Sequence, residues 1–241
     1  MAEFVHGEVT IYYEVHGSGY PLVLFAPGGM RSSIEFWSRT PYNPIAELTS
    51  RYRVIAMDQR NAGKSRAPVS AEDGWQTYTS DHLALLDELG VSRCHVLGGC
   101  IGCSYCFGLM SAAPERVSAA VLQQPIGLHA ENREVFFQMF DGWAGELAAK
   151  RSDISPEALA SFRQNMYGGE FVFNVSRDFV RSCAVPLLVL RGNDIYHPTQ
   201  TSEEIVELAP RAALIQSWKE GDDTARAVER IQLFLAEHTP A

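Results

Sequence analysis

The chain has 241 residues, 46% of them hydrophobic and 20% charged, with a formal net charge of −9. That length buries a large core within one domain, as α/β folds of this size do. An acidic balance without a basic stripe argues against nucleic acid as a partner, and no apolar run is long enough to cross a bilayer.

Residues Met1 to His6 lack the basic and apolar regions of a signal peptide. Val9 to Val15 alternates apolar and polar residues, which predicts a half-buried strand, and His16-Gly17-Ser18-Gly19 supplies a turn. Pro21 to Phe25 and Arg53 to Met57 are short buried strands, followed by Pro27-Gly28-Gly29 and by Asp58 to Ser65. Tyr78 to Leu89 carries Leu83, Leu86 and Leu89 at helical spacing and stops at Gly90. Cys94 to Leu97 is the next strand, and Cys103 to Met110 reads as a packed helix. Val117 to Leu122, Pro186 to Leu190 and Ala213 to Ile215 complete the strands, with helices over 201–209 and 223–238. Strands alternating with helices imply a mainly parallel sheet covered on both faces. The rhythm breaks between Pro125 and Val185, where Phe136, Phe140, Trp143 and Phe162 fall on helical patterns. That predicts a helical cap over 125–184, inserted into a core formed by 1–124 and 185–241.

Gly98-Gly99-Cys100-Ile101-Gly102 joins a strand to a helix by a tight turn with one reactive side chain between glycines. Such a turn is a nucleophile elbow, in which the residue between the glycines projects outward. Cys100 stands where serine is expected.

With these residues in view, the chain resembles the α/β-hydrolase superfamily. Pro27-Gly28-Gly29 is similar to its oxyanion loop, with Pro27 in place of histidine. Asp58-x-Arg60-x-x-Gly63-x-Ser65 is similar to its Asp-x-Arg-Gly-x-Gly-x-Ser turn, with Asn61 in place of one glycine. Gly192 to Pro198, after a strand, resembles the loop that carries the triad acid. The resemblance implies an α/β-hydrolase fold with Cys100 as nucleophile and Asp194 as acid, and no cofactor is expected. It also implies an oxyanion hole made by the amide of Ile101 with one from Gly29 or Met30. Dienelactone hydrolases, in the same superfamily, use an elbow cysteine and keep the histidine. Here the segment after the last strand, Gln216 to Gly221, has no histidine.

A serine without that histidine would be nearly inert, because nothing would remove its proton. A thiol at a helix N-terminus ionises through the amides and dipole there, which predicts a thiolate with no partner base. Without a proton donor the expected activity is that of a cysteine-nucleophile hydrolase or acyl transferase acting on small activated esters, thioesters or enol-lactones, not on amides or simple alkyl esters. His197 is a candidate base, weighed against a plain role in orienting the following helix. His129 opens the cap as a candidate pocket residue, weighed against surface placement. His95 is expected in a buried strand, and His6, His16, His82 and His238 at the periphery. Two other readings stay open: a non-hydrolytic lyase in the same pocket, and a ligand-binding protein that lost the chemistry.

Cysteines number five, an odd count, and three crowd at 100, 103 and 106. That suits reduced thiols in a cytoplasm better than a disulfide framework. On a helix these spacings rotate by about 60° per step, so the thiols splay and small buried residues explain them better than a metal. Cys103 as a resolving thiol for oxidised Cys100 is a minor alternative. Ala62-Gly63-Lys64-Ser65 is explained by the family turn better than by nucleotide binding, and Arg177 with Arg181 by a salt-bridged face better than by a substrate carboxylate. The expected protein is cytoplasmic, with a small-molecule substrate, no membrane partner, and room for a homo-oligomer.

Overall fold

The computed structural model describes residues 2–129 and 131–240. Its strands are β1 (Ala2–His6), β2 (Val9–His16), β3 (Tyr20–Phe25), β4 (Tyr52–Met57), β5 (Cys94–Gly99), β6 (Val117–Gln123), β7 (Leu187–Leu190) and β8 (Ala212–Ile215). They form one 8-stranded sheet in the order β1-β2-β4-β3-β5-β6-β7-β8. β1 and β2 are antiparallel to their neighbours, and every other pairing is parallel. The helices are α1 (Pro44–Leu48), α2 (Trp75–Glu88), α3 (Ile101–Ala112), α4 (Arg133–Ala148), α5 (Pro156–Tyr167), α6 (Arg177–Ser182), α7 (Thr199–Leu208) and α8 (Gly221–Glu237).

The central strands read as continuous apolar runs because both faces of the sheet are covered. Val23, Phe25 and Leu122 face one cluster with the apolar residues of α2 and α3. Leu22, Leu24 and Val121 face the other with Trp37, Trp218 and α8. No helix among the described residues is long and apolar enough to cross a membrane.

The inserted helices α4 to α6 lie between β6 and β7. Their buried aromatics Phe136, Phe140 and Phe162 belong to the same cluster as the α2–α3 face of the sheet. Trp75 Nε1 donates to Met166 O at 2.7 Å and Trp143 Nε1 to Asn61 O at 3.3 Å, which ties the insertion to the loops below it.

Three local features depart from the sequence reading. β1 has almost no burial contrast, since only Phe4 is half-buried, so period-2 patterning does not mark it. The short α1 is started by Asn43, whose Oδ1 accepts from Ile45 N, and by Pro44 at its first turn. His82, expected at the periphery, is 2% exposed. Its ring lies 4.3 Å from Phe25 and 5.3 Å from Tyr105, and Nε2 is 2.7 Å from Gln59 Oε1. Burial, with Arg60 nearby, lowers its pKa to about 3, so it is a neutral core residue.

Candidate active site

The elbow is a backbone device. Cys100 has φ 57° and ψ −119°, a conformation that costs a non-glycine residue about 1–3 kcal/mol and persists only where the surroundings enforce it. The enforcement is close packing of main chain on main chain. A Cβ on Gly98 would meet Gly102 O at 2.2 Å, and one on Gly102 would meet Phe25 O at 2.0 Å. Cys100 N donates to Gln123 O at 2.9 Å, which pins the turn to β6. Helix α3 starts at the next residue, which puts its N-terminus beside the nucleophile.

Cys100 keeps intermediate exposure, whereas Cys94, Cys103, Cys106 and Cys183 are buried. The amides of Gly28 and Ile101 both point at its sulfur. The first of these belongs to the loop after β3 and the second to the first residue of α3. Gly29 and Met30 lie in the 3-10 turn Gly29–Arg31 that follows. Met30 is buried and takes a contact from Tyr167 Oη at 3.6 Å on its sulfur.

The loop after β7 brings the second half of the site. His197 Nδ1 lies 2.7 Å from Asp194 Oδ1 and 2.8 Å from Oδ2. Asp194 Oδ1 also accepts from the amides of Tyr196, at 3.0 Å, and His197, at 3.1 Å. The carboxylate therefore holds the backbone of its own turn and the imidazole at once. The hydrogen bond from His197 outweighs burial and lowers the Asp194 pKa to about 2. With Nδ1 engaged, Nε2 is the free ring nitrogen. It is buried without a partner of hydrogen-bond geometry among the described residues, and it lies close enough to Cys100 for each group to shift the other's ionisation.

Burial alone would push the Cys100 thiol up. The charge of the nearby His197, with the Gly28 and Ile101 amides, overcomes it and leaves the thiol pKa lowered. Burial likewise works to lower His197, but the Cys100 thiolate and Asp194 raise it to about 9. Both shifts favour a thiolate–imidazolium pair. The expectation of a sulfur charged by backbone alone is corrected here: an imidazole stands beside it. It comes from the β7 loop rather than the segment after β8. In that segment Trp218, 2% exposed, donates Nε1 to Arg191 O at 2.9 Å, and Lys219 Nζ reaches Asn193 Oδ1.

The structure brings Cys100, Ile101, Asp194 and His197 together. His129 is exposed, and its backbone N donates to Asn132 Oδ1 at 2.9 Å. Cys103 Sγ donates to Gly98 O at 3.1 Å, and burial pushes the Cys103 and Cys106 thiols well up, which makes them poor nucleophiles. Arg177 pairs with Glu204, and Arg181 with Asp178. Asp58 is spent on the turn, its carboxylate accepting from Ile34 N and Lys64 N at 2.8 Å each.

Sequence reasoning named Gly28 within the Pro27-Gly28-Gly29 loop but assigned the donor amide to Gly29 or Met30.

Residues 21–185 match the α/β hydrolase fold family. A protein of Pseudomonas savastanoi pv. phaseolicola that carries the name carbamate hydrolase RutD is 23% identical over 236 residues, covering 85% of this chain and 89% of its own. A protein of the same name from Azorhizobium caulinodans is 34% identical over 116 residues, but that match spans only 48% of this chain and 41% of the relative. Among solved structures, the meta-cleavage product hydrolase CumD from Pseudomonas fluorescens IP01 superposes with a TM-score of 0.73 at 21% identity, covering 99% of this chain and 98% of that one. The enol-lactonase from Burkholderia xenovorans LB400 superposes with a TM-score of 0.68 at 16% identity, covering 98% and 100%. With the family match running from β3 to the end of the inserted helices, and the sheet order and elbow in place, this chain belongs to the α/β-hydrolase fold family.

Proposed function

We propose that the protein is a cysteine-nucleophile hydrolase of a small activated ester, thioester or lactone, with Cys100, His197 and Asp194 as its triad. The observation that carries this reading is the imidazole of His197 beside the elbow thiol, held from behind by Asp194. The inserted helices α4 to α6, whose buried aromatics pack on the α2–α3 face of the sheet, act as its cap. Similarity over most of the chain to a protein named carbamate hydrolase supports hydrolysis as the reaction.

The resting site is the thiolate–imidazolium pair. Sγ attacks the substrate carbonyl carbon and forms the S–C bond, while the carbonyl oxygen takes the negative charge against the amides of Gly28 and Ile101. Each such donor contributes about 3 kcal/mol to the transition state. The tetrahedral intermediate collapses, the bond to the leaving group breaks, and His197 Nε2 supplies that group's proton. The sulfur is now a neutral thioester, so the largest influence raising His197 has gone and the imidazole is neutral. Nε2 then takes a proton from water as the oxygen attacks the thioester. Sγ leaves as thiolate, and the ion pair is restored with one carboxylic acid released.

With a proton donor present, the substrate range extends beyond the self-activated carbonyls that an isolated thiolate needs. Incubation with p-nitrophenyl esters and acyl thioesters should place one acyl group on Cys100 by peptide mass, and none on Cys100→Ala. Product formed in ¹⁸O-labelled water should carry one labelled oxygen, which a lyase would not incorporate. Unchanged turnover by Cys100→Ala, with no adduct on the native protein, would overturn the reading.

A further inference from the structure

In this chain the acid and the base sit on one loop, so a single placement fixes both. Asp194 and His197 bond to each other through side chains and through backbone, Asp194 N to His197 O at 3.2 Å and His197 N to Asp194 O at 3.1 Å. The geometry within the dyad is therefore carried by the loop itself. What the loop does not fix is its position relative to the elbow, and that position sets the approach of Nε2 to Sγ.

Asn132 supplies a brace at that point. It is the residue ahead of α4, at the start of the insertion, and is 4% exposed. Nδ2 donates to Ile195 O at 2.8 Å and to Gly127 O at 2.9 Å, and Oδ1 accepts from His129 N at 2.9 Å. Ile195 lies between the acid and the base. Its carbonyl is thus held by a side chain from another part of the chain, while its own side chain stays 56% exposed. One turn along α4, Phe136 meets Tyr196 edge-on at 5.6 Å between ring centroids, a second contact on the same loop. A buried asparagine that meets two carbonyls with its amide protons and an N–H with its oxygen has a single favoured orientation. Any displacement leaves buried polar groups unpaired.

We infer that Asn132 is a positioning residue that sets the distance from His197 Nε2 to Cys100 Sγ through the Ile195 carbonyl. This rests on the Cys100–His197–Asp194 assignment above. Losing the brace frees the loop to move as a unit. The Asp194–His197 contact persists while the contact of His197 with the thiolate loosens. Cys100 then returns toward an ordinary thiol while the elbow itself stays unchanged.

The test reads the thiol directly and needs no substrate. Iodoacetamide alkylation of Cys100 is followed against pH by mass spectrometry in the native protein, Asn132→Ala, His197→Ala and the double variant. Asn132→Leu, close in volume, is carried alongside for packing, and each variant is compared at matched thermal stability. The expected result is a midpoint about one unit higher in both Asn132 variants, with alkylation about tenfold slower below the midpoint. In the His197→Ala background the same substitution should cause no further shift, because the effect runs through the imidazole. With a hydrolysed ester, kcat should fall and KM should hold. A merely structural role would lower stability and leave the midpoint alone. An unmoved midpoint in folded Asn132 variants, or equal shifts with and without His197, would overturn the inference. Neither outcome touches the hydrolase reading, which stands or falls on Cys100→Ala.

Discussion

The elbow and the β7 loop build one site by opposite means. At the elbow, geometry is set by neighbours in sequence: glycines that let Gly98 and Gly102 lie within main-chain contact, and a helix that begins one residue after the nucleophile. In the loop Gly192 to Pro198, a three-residue spacing places imidazole on carboxylate locally. The pair acquires meaning only where the fold sets it against a sulfur far away in the chain. One half of the site is strained and local, and the other is relaxed and borrowed from long range.

That contrast can be broken first at His197. His197→Ala leaves the elbow intact and removes the proton carrier, so kcat/KM for an ester should fall by about 10²–10⁴-fold, measured at steady state with the fold checked by circular dichroism. A smaller loss would mean that the sulfur works through its backbone surroundings alone. Next, Gly102→Ala attacks only the local half. A Cβ 2.0 Å from Phe25 O forces main chain apart, and the expected cost is about 3 kcal/mol, the upper range for overpacking, read by urea unfolding.

The pH profile sharpens the comparison. Cys100 is lowered and His197 raised to about 9, so activity should fall on the acid side as the thiolate is protonated and on the alkaline side as the imidazolium loses its proton near 9. Asp194→Asn removes one of the influences that raise His197, so the alkaline limb should move to lower pH while the acid limb moves less. The smallest effect is on stability. The folded pKa of Asp194, about 2, lies below its ordinary value. Its contribution is therefore present above the ordinary carboxylate range and lost as pH falls through the folded value. Thermal unfolding of Asp194→Asn should converge with that of the native protein toward pH 2.

Much of the fold was legible because strands buried on both faces leave long apolar runs that few other environments produce. β3 to β7 announce themselves in this way, and β1, exposed on nearly every residue, does not. The elbow was legible for the same kind of reason, since glycines flanking a reactive residue between a strand and a helix answer a steric demand at that spot. His82 was misjudged because a histidine on an amphipathic helix reads as polar until Phe25, Tyr105 and Gln59 are seen to surround it. The Gly28 amide could not be singled out, because backbone direction within a glycine-rich loop leaves no trace in residue type.

By itself, then, the sequence determined the sheet, the bend and the sulfur at its apex, all of which follow from steric and hydrophobic constraints between residues a few positions apart. Only the tertiary structure decided which histidine meets that sulfur. The β7 loop and the elbow are joined through β6, where Gly99 pairs with Gln123 and Gln123 with Leu190. Adjacency of that kind is a property of strand order in the sheet, and no local spacing encodes it.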